Sequence, residues 1–316
     1  MHKIGIQSIG AIPVKFDDTQ IYETKELADA YRNLKEAGID CIDLGFDEYL
    51  NCNRATEGNV DKFLNRPIEE LWKDFSIHAK LAKENGITFE QMHAPFPVWQ
   101  KDKPEVNEIM TRIVSNTIEL CARMGGKYIV VHPVTLAYDY GKQEEHDFNI
   151  EMYKTFIPVA RKCKVTICLE NLFLERNGHL CEGVCSDIQE AVDMIDELNA
   201  FAGEELFGFC YDVGHANILG KNLCKSVTTL GNRLKILHIH DNDGVSDLHS
   251  MPFTFCRSWF GLSTDWDGFL RGLREIGYQG VLNFEVFRCM QSFPSELHPA
   301  LMKLFADMGH YFSERI

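Results

Sequence analysis

Residues Leu206–His215 read LFGFCYDVGH, an unbroken apolar run that ends in Asp212 and then His215. A strand covered on both faces needs such a run, and parallel sheets flanked by helices are where such strands occur. The same pattern recurs outward along the chain in Lys3–Ser8, Cys41–Phe46, Thr88–Ala94, Tyr128–Pro133 and Thr166–Asn171, and again in Ile236–Asp241 and Val281–Val286. With Leu206–Asp212 this makes eight strand-like runs. Segments of helical period separate them. Leu27, Tyr31 and Leu34 form one apolar stripe, ended by Gly38 as a C-cap. Met110, Val114, Ile118 and Cys121 form another, stopped by Gly125-Gly126. Ser186-x-x-Gln189 resembles a capping box leading into Ile188, Val192, Ile195 and Leu198. Leu270, Leu273 and Ile276 precede Gly277, and a last helix is expected from about Ser295 to about Phe312.

Strand–helix alternation repeated eight times with right-handed crossovers predicts an α/β fold, the (β/α)8 TIM barrel. An open doubly wound sheet is the alternative. No G-x-G-x-x-G follows the first strand, which disfavours its dinucleotide-binding form. No Gly-, Pro- or Ser-rich linker divides the chain, so residues 1–316 are expected to form one domain with enlarged loops at Asp47–Pro67 and Asp243–Asp265.

Composition narrows the function. The chain has 316 residues, a net charge of −15, 45% apolar and 25% charged residues, as in ordinary globular proteins. No run approaches the length of a membrane span, and the N-terminus shows no secretory signal, so a cytoplasmic protein is expected. The acidic balance disfavours nonspecific nucleic-acid binding and leaves only a local basic patch for it. Eleven scattered cysteines read as thiols, and Cys181-x3-Cys185 alone is weak as a metal motif.

The strands end in ionisable residues. His93, His132, Glu170, Asp212, His240 and Glu285 each close a different one, about one βα unit apart. His215, Asp247 and His249 follow in the adjoining loops. In a closed barrel these residues converge on one mouth, where such enzymes place their active sites. Histidine at a strand end is most often structural, and a lone Asp247 reads as a loop residue. Recurrence at one rim is what turns the set into a metal site, for which imidazole and carboxylate suit Zn, Mn, Co or Fe. His238 and His240 share a face. His240 is the preferred ligand because it lies nearer the mouth, with His238 in the core or orienting a ligand.

The motifs His93-Ala94-Pro95-Phe96, Val131-His132-Pro133, Leu169-Glu170-Asn171, Asp212-Val213-Gly214-His215, His240-Asp241-Asn242-Asp243-Gly244 and Phe284-Glu285-Val286 resemble, in order and spacing, the xylose-isomerase-like TIM barrels. That superfamily includes sugar isomerases and epimerases and the apurinic endonuclease IV. Resemblance to its ketose-epimerase branch implies one divalent metal (Zn, Mn, Co or Mg) on Glu170, Asp212, His240 and Glu285. There the two glutamates act as acid and base at a metal-stabilised enediolate, and His215 touches substrate. An arginine normally six residues after the metal histidine is Ser246 here, a departure from the 3-epimerase pattern.

Resemblance to the endonuclease IV branch implies instead up to three zinc ions and phosphate-ester cleavage. His93, His132 and Glu170 would hold the first ion. Glu170, Asp212, His240 and Glu285 would hold the second, and His215, Asp247 and His249 the third. The favoured expectation is a metal-dependent isomerase or epimerase of a sugar, sugar phosphate or cyclitol, with Glu170 and Glu285 catalytic. His93, His215 and Trp266 are the candidate substrate contacts. Trp266 follows Gly261-Leu262-Ser263-Thr264-Asp265, which resembles a segment of sugar isomerases, although Asp265 as N-cap and Trp266 packed on the barrel explain it equally. Arg54, Arg66, Lys142, Arg176 and Arg257 are loop cations that could meet a phosphate. Relatives of this kind are often dimers or tetramers, which implies a homo-oligomer.

Overall fold

The computed structural model describes residues 1–316 except 18, 51–54, 56, 57, 59–61 and 257–260. Arg54 and Arg257 therefore lie outside the described residues, as do parts of both enlarged loops. Eight parallel strands form one sheet: β1 (Ile4–Gln7), β2 (Cys41–Gly45), β3 (Gln91–His93), β4 (Tyr128–Val130), β5 (Thr166–Glu170), β8 (Phe207–Asp212), β9 (Leu234–His238) and β10 (Leu282–Phe284). Residues Phe173–Arg176 (β6) and His179–Glu182 (β7) form a separate antiparallel hairpin between β5 and β8. An Ile239–Phe284 bridge joins the last two strands of the sheet and closes the barrel. All eight sequence runs are strands, shorter than read. The hairpin lies outside the eight runs read from the sequence, its two short strands being too mixed in character to stand out.

Helix ends follow the expected chemistry with one correction. Gly38 is the left-handed C-cap of Lys25–Ala37, and Asp265 caps Trp266–Ile276 by accepting from the Gly268 amide. The helix Ile188–Ala202 is capped by Asp187, not Ser186, whose hydroxyl instead donates to the Gly183 carbonyl. The last helix spans His298–Ser313. No helix among the described residues is long and apolar enough to cross a membrane.

Inside the barrel, period two lifts the site onto an apolar floor. Val130, Cys168, Cys210 and Ile236 pack together as one buried cluster. Two residues further along the same inward face stand His132, Glu170, Asp212 and His238. The other half of the interior is polar. Asp43 Oδ2 accepts from Gln91 Nε2 at 2.7 Å and Asn283 Nδ2 at 3.0 Å, and lies 3.3 Å from His238 Nε2.

Outside the barrel, buried His78 joins two elements. Its Nδ1 lies 2.9 Å from the Tyr31 hydroxyl and its Nε2 3.0 Å from that of Tyr49. Burial lowers its pKa to about 4. Because this value is depressed in the fold, unfolded chains take up the proton first as pH falls. The stability contributed by neutral His78 is complete above pH 6.5 and is lost down to about pH 4, amounting to about 3 kcal/mol. Urea unfolding across that range is expected to fall more steeply for the native protein than for His78→Gln. Equal slopes would contradict the assignment.

Candidate metal centre and active site

Local structure fixes each side chain at the mouth. Asp212 ends β8 and caps the short helix Val213–Ile218, its Oδ1 accepting from the His215 amide at 2.6 Å. Asn171 pins the same residue, donating to the Asp212 carbonyl and accepting from its amide. His240 Nε2 then sits 3.0 and 3.1 Å from the two Asp212 oxygens. Gln7 Nε2 donates to Glu285 Oε1 at 2.6 Å.

The histidines are oriented by their other nitrogen. Nδ1 of His93, His215 and His249 lies 2.8, 2.9 and 3.1 Å from the backbone carbonyls of Ala94, Asn171 and Glu285. A carbonyl only accepts, so Nδ1 carries the proton and the Nε2 lone pair is left for a ligand. His249 adopts a left-handed backbone, φ 42°, and its ring stacks on His240 at 4.0 Å. Asp247 Oδ2 is 2.9 Å from His249 Nε2, and Asp247 Oδ1 is buried without a hydrogen bond.

Electrostatics favour a cation. Burial alone would raise both glutamates. The imidazoles of His238 and His132 around Glu170, and of His238 and His249 around Glu285, outweigh it and hold both carboxyls well below their usual range. Likewise burial would lower His215, but Asp212, Asp247 and Glu170 lift it to about 10. The carboxylates and imidazoles thus each favour the other's charged form. Metal and proton compete for the same positions.

Donor atoms converge in overlapping groups: His93, His132 and Glu170; Asp212, His240 and Glu285; Glu170, Asp212 and His215; and His215, His240, Asp247 and His249, each within 4.8 Å. His93 Nε2 and His132 Nε2 face one another at 3.0 Å. The orphaned Asp247 oxygen, the facing imidazole nitrogens and the mixed N/O donor set all fit a divalent cation. A deeper group of Glu170, Cys210 and His238 fits less well, since burial pushes the Cys210 thiol well up.

Nine of the residues singled out in the sequence therefore meet at one mouth. Trp266 does not. It is buried against Phe253, Phe269 and Phe312 and is not among the described residues that line the cavity. Arg66 pairs with Asp74 at 2.6 Å, and Lys142 lies 3.6 Å from Glu190, both away from the mouth; Arg176 lies on the hairpin, outside the cavity wall. Sequence reasoning missed Asp43, Gln7 and Asp47. The last two line the cavity, and Asp47 lies 3.2 Å from His93 Nδ1. Asp43 and Gln7 were foreshadowed only by polar residues inside apolar strand runs.

These features define a (β/α)8 barrel with a His/Asp/Glu cluster fit for a divalent cation at the C-terminal ends of its strands. Within that class the chain belongs to the Xylose isomerase-like TIM barrel family, whose model matches residues 31–305. It is 26% identical over 262 residues to the inosose isomerase of Bacillus velezensis, covering 81% of this chain and 84% of that one. Among solved structures it resembles a D-tagatose 3-epimerase-like protein, with TM-score 0.67, 18% identity and 98% of each chain covered. It also resembles a D-psicose 3-epimerase determined in the presence of D-fructose, with TM-score 0.65, 16% identity and 98% of each chain covered.

Proposed function

We propose that this protein is a divalent-metal-dependent isomerase or epimerase of a sugar or cyclitol, with Glu170 and Glu285 as its acid/base pair. The observation that carries the reading is that both carboxylates flank one imidazole. His238 Nδ1 lies 3.4 Å from Glu170 Oε2 and 3.1 Å from Glu285 Oε2. Glu170, Asp212, His240 and Glu285 would hold the metal. When bound, it would polarise a carbonyl and so acidify the neighbouring C–H.

One carboxylate takes that proton. Its delivery to the former carbonyl carbon, with the hydroxyl proton passing between the two oxygens, is isomerisation; delivery of a different proton to the original carbon from the opposite face by the second, protonated carboxyl is epimerisation. Gln7 donates to Glu285 Oε1, while Oε2 faces His238 Nδ1. His93 and His215, which line the cavity, would hold substrate hydroxyls.

The test is metal content per chain after reconstitution, followed by NMR of ketoses and inososes in D2O with the loaded protein. About one Zn, Mn, Co or Mg per chain and deuterium at the carbon beside the carbonyl are expected. A second reading, a trinuclear-zinc phosphoesterase, draws on the surplus group His215, His240, Asp247 and His249. Two or three zinc ions per chain, with hydrolysis of phosphate esters or abasic DNA, would establish it. Failure to bind any metal would overturn both.

A further inference from the structure

The cluster forms the floor of a cavity of about 760 Å3, a size that takes a drug-like ligand. The hydroxyls of a polyol need polar partners, whereas its C–H faces pack on apolar groups and cover only a small area. Here the His/Asp/Glu cluster makes the floor, and Gln100, Lys101, Thr135 and Tyr140 add a few polar groups to walls that are otherwise mainly apolar. Three phenylalanines that follow three different barrel strands (β3, β5 and β10) each stand against one cluster histidine. Phe96 faces His132 at 5.6 Å between ring centroids, Phe173 faces His215 at 5.1 Å, and Phe287 faces His249 at 4.4 Å. Leu136 and Leu174 extend the apolar wall outward.

Phe96 is 47% exposed, yet it is held in place, its amide donating to Asp47 Oδ1 at 2.6 Å. Apart from the histidines, Lys101 is the one cation among the described lining residues. Its ammonium is bonded to Glu144 and lies 4.6 Å from the Tyr140 ring centroid. A phosphate entering the cavity would meet no unpaired Lys or Arg among those residues, and would meet the carboxylates of the floor.

Building on the proposed isomerase or epimerase reading, we infer that the substrate is an uncharged sugar bearing an apolar substituent of about aromatic-ring size. The polyol sits on the metal floor, and the substituent lies between Phe96, Phe173, Leu136 and Leu174.

Matched methyl and 4-nitrophenyl 3-keto-glycosides of glucose, galactose and mannose, which keep a ring carbonyl, with glucose 6-phosphate alongside, test this by titration calorimetry on the metal-loaded protein. In at least one pair the aromatic member is expected to bind about tenfold or more tightly, as burial of one ring face implies. Leu174→Asp should erase that difference while metal content stays the same. Equal affinities in every pair, no detectable binding of any aromatic glycoside, or tighter binding of glucose 6-phosphate would overturn the inference. Those outcomes leave metal content and deuterium exchange untouched, so they are separable from failure of the isomerase reading.

Discussion

Glu285→Gln and Glu170→Gln are each expected to lower kcat by roughly 10²–10⁴-fold, the usual contribution of a positioned acid or base. Both side chains are buried at the mouth, and each swap preserves shape while removing the charge and the basic oxygen. At position 285 the new amide can still present its oxygen to Gln7 Nε2, so packing is retained. What is lost is the anion facing His238. Metal content and melting temperature, measured beside kcat, separate the causes. Loaded, folded and inactive protein supports the acid/base roles. Near-normal kcat in both variants would refute them.

Gly214→Ala is expected to cut metal affinity by on the order of 100-fold and to lower stability. A Cβ at this position would overlap the His240 ring, standing 2.5 Å from Nε2, so the ring or the helix start must move. Displacing a ligand through its supporting contacts typically costs 10–100-fold in affinity, and overpacking costs about 1–3 kcal/mol. The sign is diagnostic. Gly214 lies in the helix Val213–Ile218, where Ala for Gly would otherwise gain roughly 1 kcal/mol. Calorimetric metal titration and thermal melts check both effects. Unchanged metal affinity would show that His240 is not held by this contact.

Much of the molecule was legible because barrel strands are buried on both faces and so write themselves as apolar runs. The residue closing each run then falls at the mouth without further information, as His93, Glu170 and Asp212 do. The preference for His240 over His238 as a ligand rested on position along the strand alone. The structure puts His240 against Asp212 and sinks His238 between the two glutamates and Asp43.

Other features were beyond reach. Trp266 carried a local signature compatible with two roles, and only the structure shows it packed against Phe312. Asp43 and Gln7 look like polar breaks in strands until barrel closure turns them inward. The hairpin Phe173–Glu182 pairs across a turn whose flanking runs are too mixed in character to announce strands.

By itself, then, the order of residues determined the eight-fold alternation, the barrel and the set of donors at one rim, because periodicity and strand ends are local properties of the chain. Tertiary structure alone decided which nitrogen of each histidine faces the cluster, which carboxylates share His238, and that the cavity walls above are apolar. Those depend on contacts between residues tens to hundreds of positions apart, such as Gln7 with Glu285 and Asp43 with Asn283, which exist only once the barrel has closed.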